Sequence, residues 1–227
     1  MAGSDTMTGP AASGEQHRRV GSYVALGDSF TAGNGLEPGS RWPDLVAEAL
    51  EQINPEFEYS NLALDGATSS DVLEQVPRAI ELEPDLITLI CGANDVILEL
   101  RPDVEAFAAR FELILDRLIA ALPGAAILSS TYPEGWDLTG AGPRTRARMR
   151  RGMKDLNEVI RSVTSDRNVP CLDVVDDPGT GDARNYEMDG LHPSLRGHLH
   201  AADEVCERLA EMFSIEIPTE RRERIWS

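Results

Sequence analysis

At 227 residues the chain has the length of one large domain and can bury a full hydrophobic core without disulfide or metal staples. Its 39 acidic and 21 basic residues give a formal net charge of -18, a mean field that repels phosphate backbones and anionic lipid surfaces and argues against nucleic acid as a partner. No run reaches the roughly 18 apolar residues of a membrane span, and the opening residues lack the apolar stretch of a signal peptide, so the chain is expected to be cytoplasmic.

Residues 1–21 are rich in Gly, Ser, Thr and Pro, carry little apolar surface to bury, and read as a disordered tail. The domain is expected over 22–214. Short apolar or β-branched runs bounded by turn residues predict five strands, at Tyr23–Leu26, Tyr59–Leu64, Leu86–Cys91, Ala125–Ser129 and Val169–Val175. Between them, helical periodicity predicts helices at Trp42–Gln52, Ser70–Leu82, Val104–Leu122 and Thr145–Arg167, with a last one at Ser194–Phe213. In the third of these, Phe107, Phe111, Ile114, Leu115 and Leu118 form one apolar stripe that can lie on a sheet. Pro77 predicts a kink or two short pieces in the second helix. Strand and helix alternate, which implies a parallel sheet with helices on both faces: an α/β/α sandwich of three layers. Residues 215–227 form a tail that either covers the domain or hangs loose. Cys91, Cys171 and Cys206 are an odd number in a chain too large to depend on disulfides, and read as reduced structural thiols.

In an open parallel sheet, ligands bind in the crevice outside the carboxyl ends of the strands. The first predicted strand ends in Gly27-Asp28-Ser29, the second in Asp65-Gly66-Ala67 and the third in Gly92-Ala93-Asn94-Asp95. A hydroxyl, a glycine backbone and a carboxamide thus meet at one rim. Serine needs a base to accept its proton and donors to hold an oxyanion. "MDGLHPSLRGH" offers His192 before the last helix, with Asp189 three residues upstream in a turn that can bring the carboxylate back to the ring. Taken singly, each cluster also reads as a cap or turn. The run does not match the Gly-x-Ser-x-Gly elbow of the α/β-hydrolases.

In this order, "GDSFTAG", "NLALDG", "GAND" and "DGLH" resemble the sequence blocks of the SGNH hydrolases, also called GDSL esterases and lipases, over Tyr23 to about Phe213. Phe30 stands where the family's name has leucine, an apolar exchange that can narrow a pocket. The resemblance implies a flavodoxin-like five-stranded sheet, with Ser29 as nucleophile, His192 as base and Asp189 orienting the histidine. It further implies an oxyanion hole made by the N–H groups of Ser29 and Gly66 and the side-chain amide of Asn94. It implies no metal and no organic cofactor. The expected activity is hydrolysis of carboxylic esters of small to medium acyl groups through an acyl-serine intermediate. An acyltransferase using the same residues on a non-water acceptor is the alternative, and a binding module that has lost turnover is a further rival.

"PRTRARMRRGMK", Pro143 to Lys154, is a cationic island in an acidic chain. As a helix it would group Arg144, Arg148 and Arg151 on one face, either a solvated surface paired with nearby acids or an anchor for a substrate anion. Trp42, Tyr132 and Trp136 fall where they would either border the crevice or pack in the core. His17 lies in the presumed tail, and His198 and His200 in the last helix read as packed or solvated. Cys91, close to Asn94, reads as filler.

Overall fold

A computed structural model describes residues 20–134 and 139–218. His17, Trp136 and the bulk of both expected tails lie outside the described residues. Five parallel strands, β1 (Ser22–Gly27), β2 (Glu58–Asn61), β3 (Leu86–Ile90), β4 (Ala126–Ser130) and β5 (Cys171–Leu172), stand in the order β2-β1-β3-β4-β5. This is the flavodoxin-like order, whose reversal at β1 and β3 opens a crevice beyond their carboxyl ends. The helices are α1 (Ser29–Ala32), α2 (Trp42–Ile53), α3 (Ser69–Glu81), α4 (Ala93–Ile97), α5 (Val104–Ala121), α6 (Pro143–Asp166) and α7 (Leu195–Phe213).

The two-residue period of β1 divides the core. Val24 and Leu26 point into the layer of α3, α5 and α6, whereas Tyr23 and Ala25 point into the layer of α2 and α7. On the first face the predicted stripe of α5 is buried, and its Phe107 and Phe111 rings stack at 5.6 Å. Each such ring contributes about 1.5–3 kcal/mol by leaving water. On the second, Val46, Leu50 and Leu209 are fully enclosed.

Several boundaries differ from expectation, each for a local reason. Val20 is buried in the α2/α7 layer and the Gly21 N–H donates to Asp85, so the ordered fold starts before Ser22. Ile217 packs on the same layer, which makes the start of the C-terminal segment a cover. The edge strands are short. Beyond Asn61 the chain nonetheless stays tied to β1, through Leu62 N–H to Ala25 and Leu64 N–H to Gly27. Pro77 leaves α3 as one helix: the proline is exposed, while Val72, Val76 and Ala79 hold the buried face and a Thr68–Asp71 capping box secures the first turn. All three cysteines are free thiols.

Candidate active site

β1 ends against the sheet. A side chain on Gly27 would come within 2.5 Å of the Ile90 carbonyl, so only glycine fits there. Both polar groups of that residue are held by buried Gln75, whose Oε1 accepts the Gly27 N–H at 3.0 Å and whose Nε2 donates to the Gly27 carbonyl at 2.9 Å. From this anchored point the chain turns into the single-turn α1. Asp28 caps it by accepting the Phe30 N–H, and Gly33 closes it at φ 69°. Ser29 is the first residue of that turn, where a backbone N–H has no intrahelical acceptor and remains available to an anion.

The loop before α7 brings the histidine to the serine. Asp189 Oδ1 accepts the N–H groups of Leu191 and His192 at 2.8 and 3.0 Å, folding the Asp-Gly-Leu-His turn around one carboxylate. Its other oxygen lies 2.7 Å from His192 Nδ1, and His192 Nε2 lies 3.2 Å from Ser29 Oγ. The result is one line of contacts from carboxylate through imidazole to hydroxyl. Partial burial alone would raise the Asp189 carboxyl, but the hydrogen bonds from the ring and the two backbone N–H groups outweigh it and hold the carboxyl below its ordinary range. It stays ionised at neutral pH, and so keeps the proton of the facing ring on Nδ1.

The two other residues expected at this rim follow β2 and β3. Gly66 has φ 75°, a left-handed conformation that a side chain would strain although the space beside it is open. Asn94, in α4, is buried and commits one amide hydrogen to the Ala67 carbonyl at 2.9 Å, which fixes its rotamer and leaves the second hydrogen to offer. The β2 and β3 loops are locked together behind them. Asp95 accepts from Ser69 N–H and Oγ at 2.8 and 2.6 Å and pairs with Arg110 at 3.0 Å, tying the starts of α3 and α4 to α5.

An apolar cavity of about 120 Å³ lies beside this line, on the β4/β5 side, with Phe30, Trp42, Tyr132, Tyr186, Pro193 and Val205 among its walls. Ser29 and His192 do not line it, but their chain neighbours Phe30 and Pro193 do. Among the described residues, no group of three or more His, Cys, Asp or Glu side chains is placed to hold a metal ion, and no helix is long and apolar enough to cross a membrane.

The other singled-out residues divide between the core and local caps. Trp42 is buried and donates its indole N–H to the Phe30 carbonyl. Arg148, from the cationic island, donates to the Val96, Ile97 and Glu99 carbonyls and so caps the end of α4. His198 is buried, its Nδ1 accepting the Trp42 N–H at the start of α2, and burial depresses its pKa to about 4. His200 pairs with Asp177 at 2.7 Å. Cys91 is buried, and desolvation raises its thiol well above the usual range, which leaves it without nucleophilic character. The supporting roles of Asp28, Gln75 and Asp95 were not visible in the sequence, since each depends on a partner at least 26 residues away.

Residues 25–199 match the model of the GDSL-like Lipase/Acylhydrolase family. The chain belongs to this family. It is 30% identical over 82 residues, 36% of its length, to an arylesterase of Vibrio mimicus, and 26% identical over 88 residues, 38% of its length, to the esterase TesA of Pseudomonas aeruginosa. The matched stretches span 41% and 44% of those two relatives, less than half the length of each. In fold it is similar to the lipase/acylhydrolase of Enterococcus faecalis, with a TM-score of 0.68 at 23% identity over 87% of this chain and 98% of the other. The psychrotrophic esterase EstA of a Pseudoalteromonas species superposes with a TM-score of 0.67 at 20% identity, over 86% of this chain and 100% of that one.

Proposed function

We propose that this member of the GDSL-like family hydrolyses carboxylic esters of small to medium acyl groups through an acyl-serine intermediate. The observation that carries this reading is the line Asp189 Oδ2, His192 Nδ1, His192 Nε2, Ser29 Oγ, with steps of 2.7 and 3.2 Å on either side of the ring. Its relatives named an arylesterase and an esterase favour the same class of substrate.

In the first half-reaction Ser29 Oγ attacks the ester carbonyl while its proton passes to His192 Nε2. The carbonyl oxygen gains the negative charge, which the N–H groups of Ser29 and Gly66 and the amide of Asn94 receive. The carbon–oxygen bond to the alcohol then breaks, and the imidazolium returns the proton to the leaving oxygen. Water repeats the sequence on the acyl-serine: its oxygen adds to the acyl carbon as its proton goes to His192, the Ser29 ester bond breaks as the imidazolium returns that proton to Ser29 Oγ, and the acid departs. Asp189 takes no proton; it stabilises the imidazolium of each step and fixes its orientation.

The apolar cavity beside Phe30 and Pro193 supports the size range. At about 120 Å³ it is close to the roughly 150 Å³ of an engineered apolar cavity that accepts benzene, and far short of a long lipid chain. A panel of p-nitrophenyl esters from acetate to palmitate tests the proposal. Hydrolysis with kcat/KM highest between two and eight acyl carbons is expected, and absence of turnover across the panel would overturn it.

A further inference from the structure

Asp28 stands directly before Ser29 and is fully buried. Both of its carboxylate oxygens accept: Oδ1 takes the Phe30 N–H at 3.0 Å and Oδ2 the Tyr132 hydroxyl at 2.6 Å. Tyr132 is itself buried and gripped by Asn157 of α6, whose Oδ1 accepts its N–H at 2.9 Å and whose Nδ2 donates to its carbonyl at 2.8 Å. The Phe30 ring stands edge-on to that of Tyr132, with centroids 5.3 Å apart. A continuous buried chain therefore runs from α6 through Tyr132 and Asp28 to the turn that carries Ser29.

Capping alone does not account for an acid here, because asparagine or serine caps a helix as well and carries no charge. Sinking a carboxylate into the core without an ion pair is costly, and the hydrogen bonds that Asp28 accepts come from a backbone N–H and a neutral hydroxyl. The groups that face it are the Tyr132 hydroxyl after β4, the Cys91 thiol at the end of β3, Asp95 of α4, and His192 before α7. Of these, Asp95 is already neutralised by Arg110 of α5. His192 is left as the group whose positive form would gain from Asp28.

We infer that Asp28, steadied by Tyr132, is a positioning residue that holds the Ser29 turn and lends a second negative charge, besides that of Asp189, to the imidazolium formed at His192. This rests on the esterase reading. Asp28 exchanges no proton with substrate; the serine proton still goes to His192 Nε2. Its carboxyl is pushed up to about 6, chiefly by burial and against the hydrogen bonds from Tyr132 and Phe30. The charge is thus present at neutral pH and lost just below it.

The test is kcat/KM against pH, with p-nitrophenyl acetate, for the parent, Asp28→Asn and Tyr132→Phe. Asp28→Asn lowers kcat by about 10-fold or more with KM nearly constant, as expected for charge that matters in the transition state. Its acidic limb moves to lower pH, because the imidazolium has lost a neighbouring anion. Tyr132→Phe moves the limb to higher pH, because the carboxylate has lost a donor and ionises later. These opposite shifts, on removing the two ends of one hydrogen bond, are what a structural cap would not produce.

Melting temperature gives a readout without activity. The Asp28 pKa is raised in the folded state, so its contribution to stability is fully present below the unfolded value near 3.8 and lost as pH rises through about 6. Asp28→Asn should therefore melt above the parent at pH 8, by a margin that shrinks at pH 5. Profiles that superimpose on the parent's, shifts of the same sign, or a lower melting point for Asp28→Asn at pH 8 overturn the inference while leaving an active parent as an esterase. If Tyr132→Phe fails to fold, the Asp28→Asn profile and melts decide alone. A parent that turns over no ester overturns both readings.

Discussion

Gln75 and Gly27 are joined by two reciprocal hydrogen bonds, one helix side chain gripping both the N–H and the carbonyl of one residue at the end of β1. Two residues later the chain reaches Ser29, so this clamp sets where the hydroxyl proposed as nucleophile starts from. All the groups concerned are buried, and truncation would leave the Gly27 N–H without its acceptor, whereas the carbonyl keeps the Leu64 N–H.

Gln75→Ala is expected to destabilise the fold by about 1–3 kcal/mol, the cost of leaving one buried backbone donor unsatisfied. Gln75→Glu keeps an acceptor for the N–H but turns a buried, unpaired carboxylate oxygen toward the carbonyl, and should be at least as destabilising as Gln75→Ala. Urea denaturation of the three proteins checks the order; equal midpoints would show that the clamp contributes nothing.

In the proposed mechanism Asn94→Ala removes a donor to charge that develops only in the transition state. A fall in kcat of roughly 10²–10³-fold with KM little changed is expected. Steady-state kinetics on one short ester decides the point, and an effect confined to KM would make Asn94 a group that binds substrate rather than the oxyanion.

Asp189 and His192 separate by the nature of the loss. His192→Ala should be nearly inactive, since no other base faces Ser29 Oγ among the described residues. Asp189→Asn retains an acceptor for the turn's N–H groups but removes the charge, so activity falls by roughly 10²–10⁴-fold. The acidic limb of its pH profile moves to lower pH, because the imidazolium is no longer stabilised. A parent-like profile would reduce Asp189 to a loop-shaping residue.

Arg148 is the island residue that touches the site's scaffold. Its guanidinium caps the carbonyls at the end of α4, the helix that carries Asn94, so Arg148→Ala should cost about 1–2 kcal/mol and lower kcat. Exposed Arg151→Ala should change stability by no more than about 0.5 kcal/mol. Thermal melts of the pair test the contrast; equal effects would return the island to a uniform solvated face.

How much of the fold and the site is legible in the sequence follows from how local each signal is. The strand ends announced themselves because Gly-Asp-Ser, Asp-Gly-Ala and Gly-Ala-Asn-Asp break apolar runs with turn residues, and a parallel sheet gathers such ends on one rim. The Asp189 turn was legible because its three hydrogen bonds close within three residues. The Tyr132–Asp28 bond spans 104 positions and leaves no local trace, so a capping acid looked ordinary. Pro77 looked like a breaker because periodicity does not reveal that it faces solvent while its neighbours hold the helix. β5 shrank to two residues because a long apolar run does not show where pairing at a sheet edge stops.

In the proposed mechanism everything depends on Ser29 Oγ as the nucleophile. Labelling by a fluorophosphonate probe, followed by intact mass and peptide mapping, tests it most directly in the parent and in Ser29→Ala. One adduct, on Ser29, is expected in step with loss of ester hydrolysis, with neither labelling nor turnover in a Ser29→Ala protein that melts close to the parent. An adduct elsewhere, or ester turnover by Ser29→Ala near the parent's rate, would contradict it.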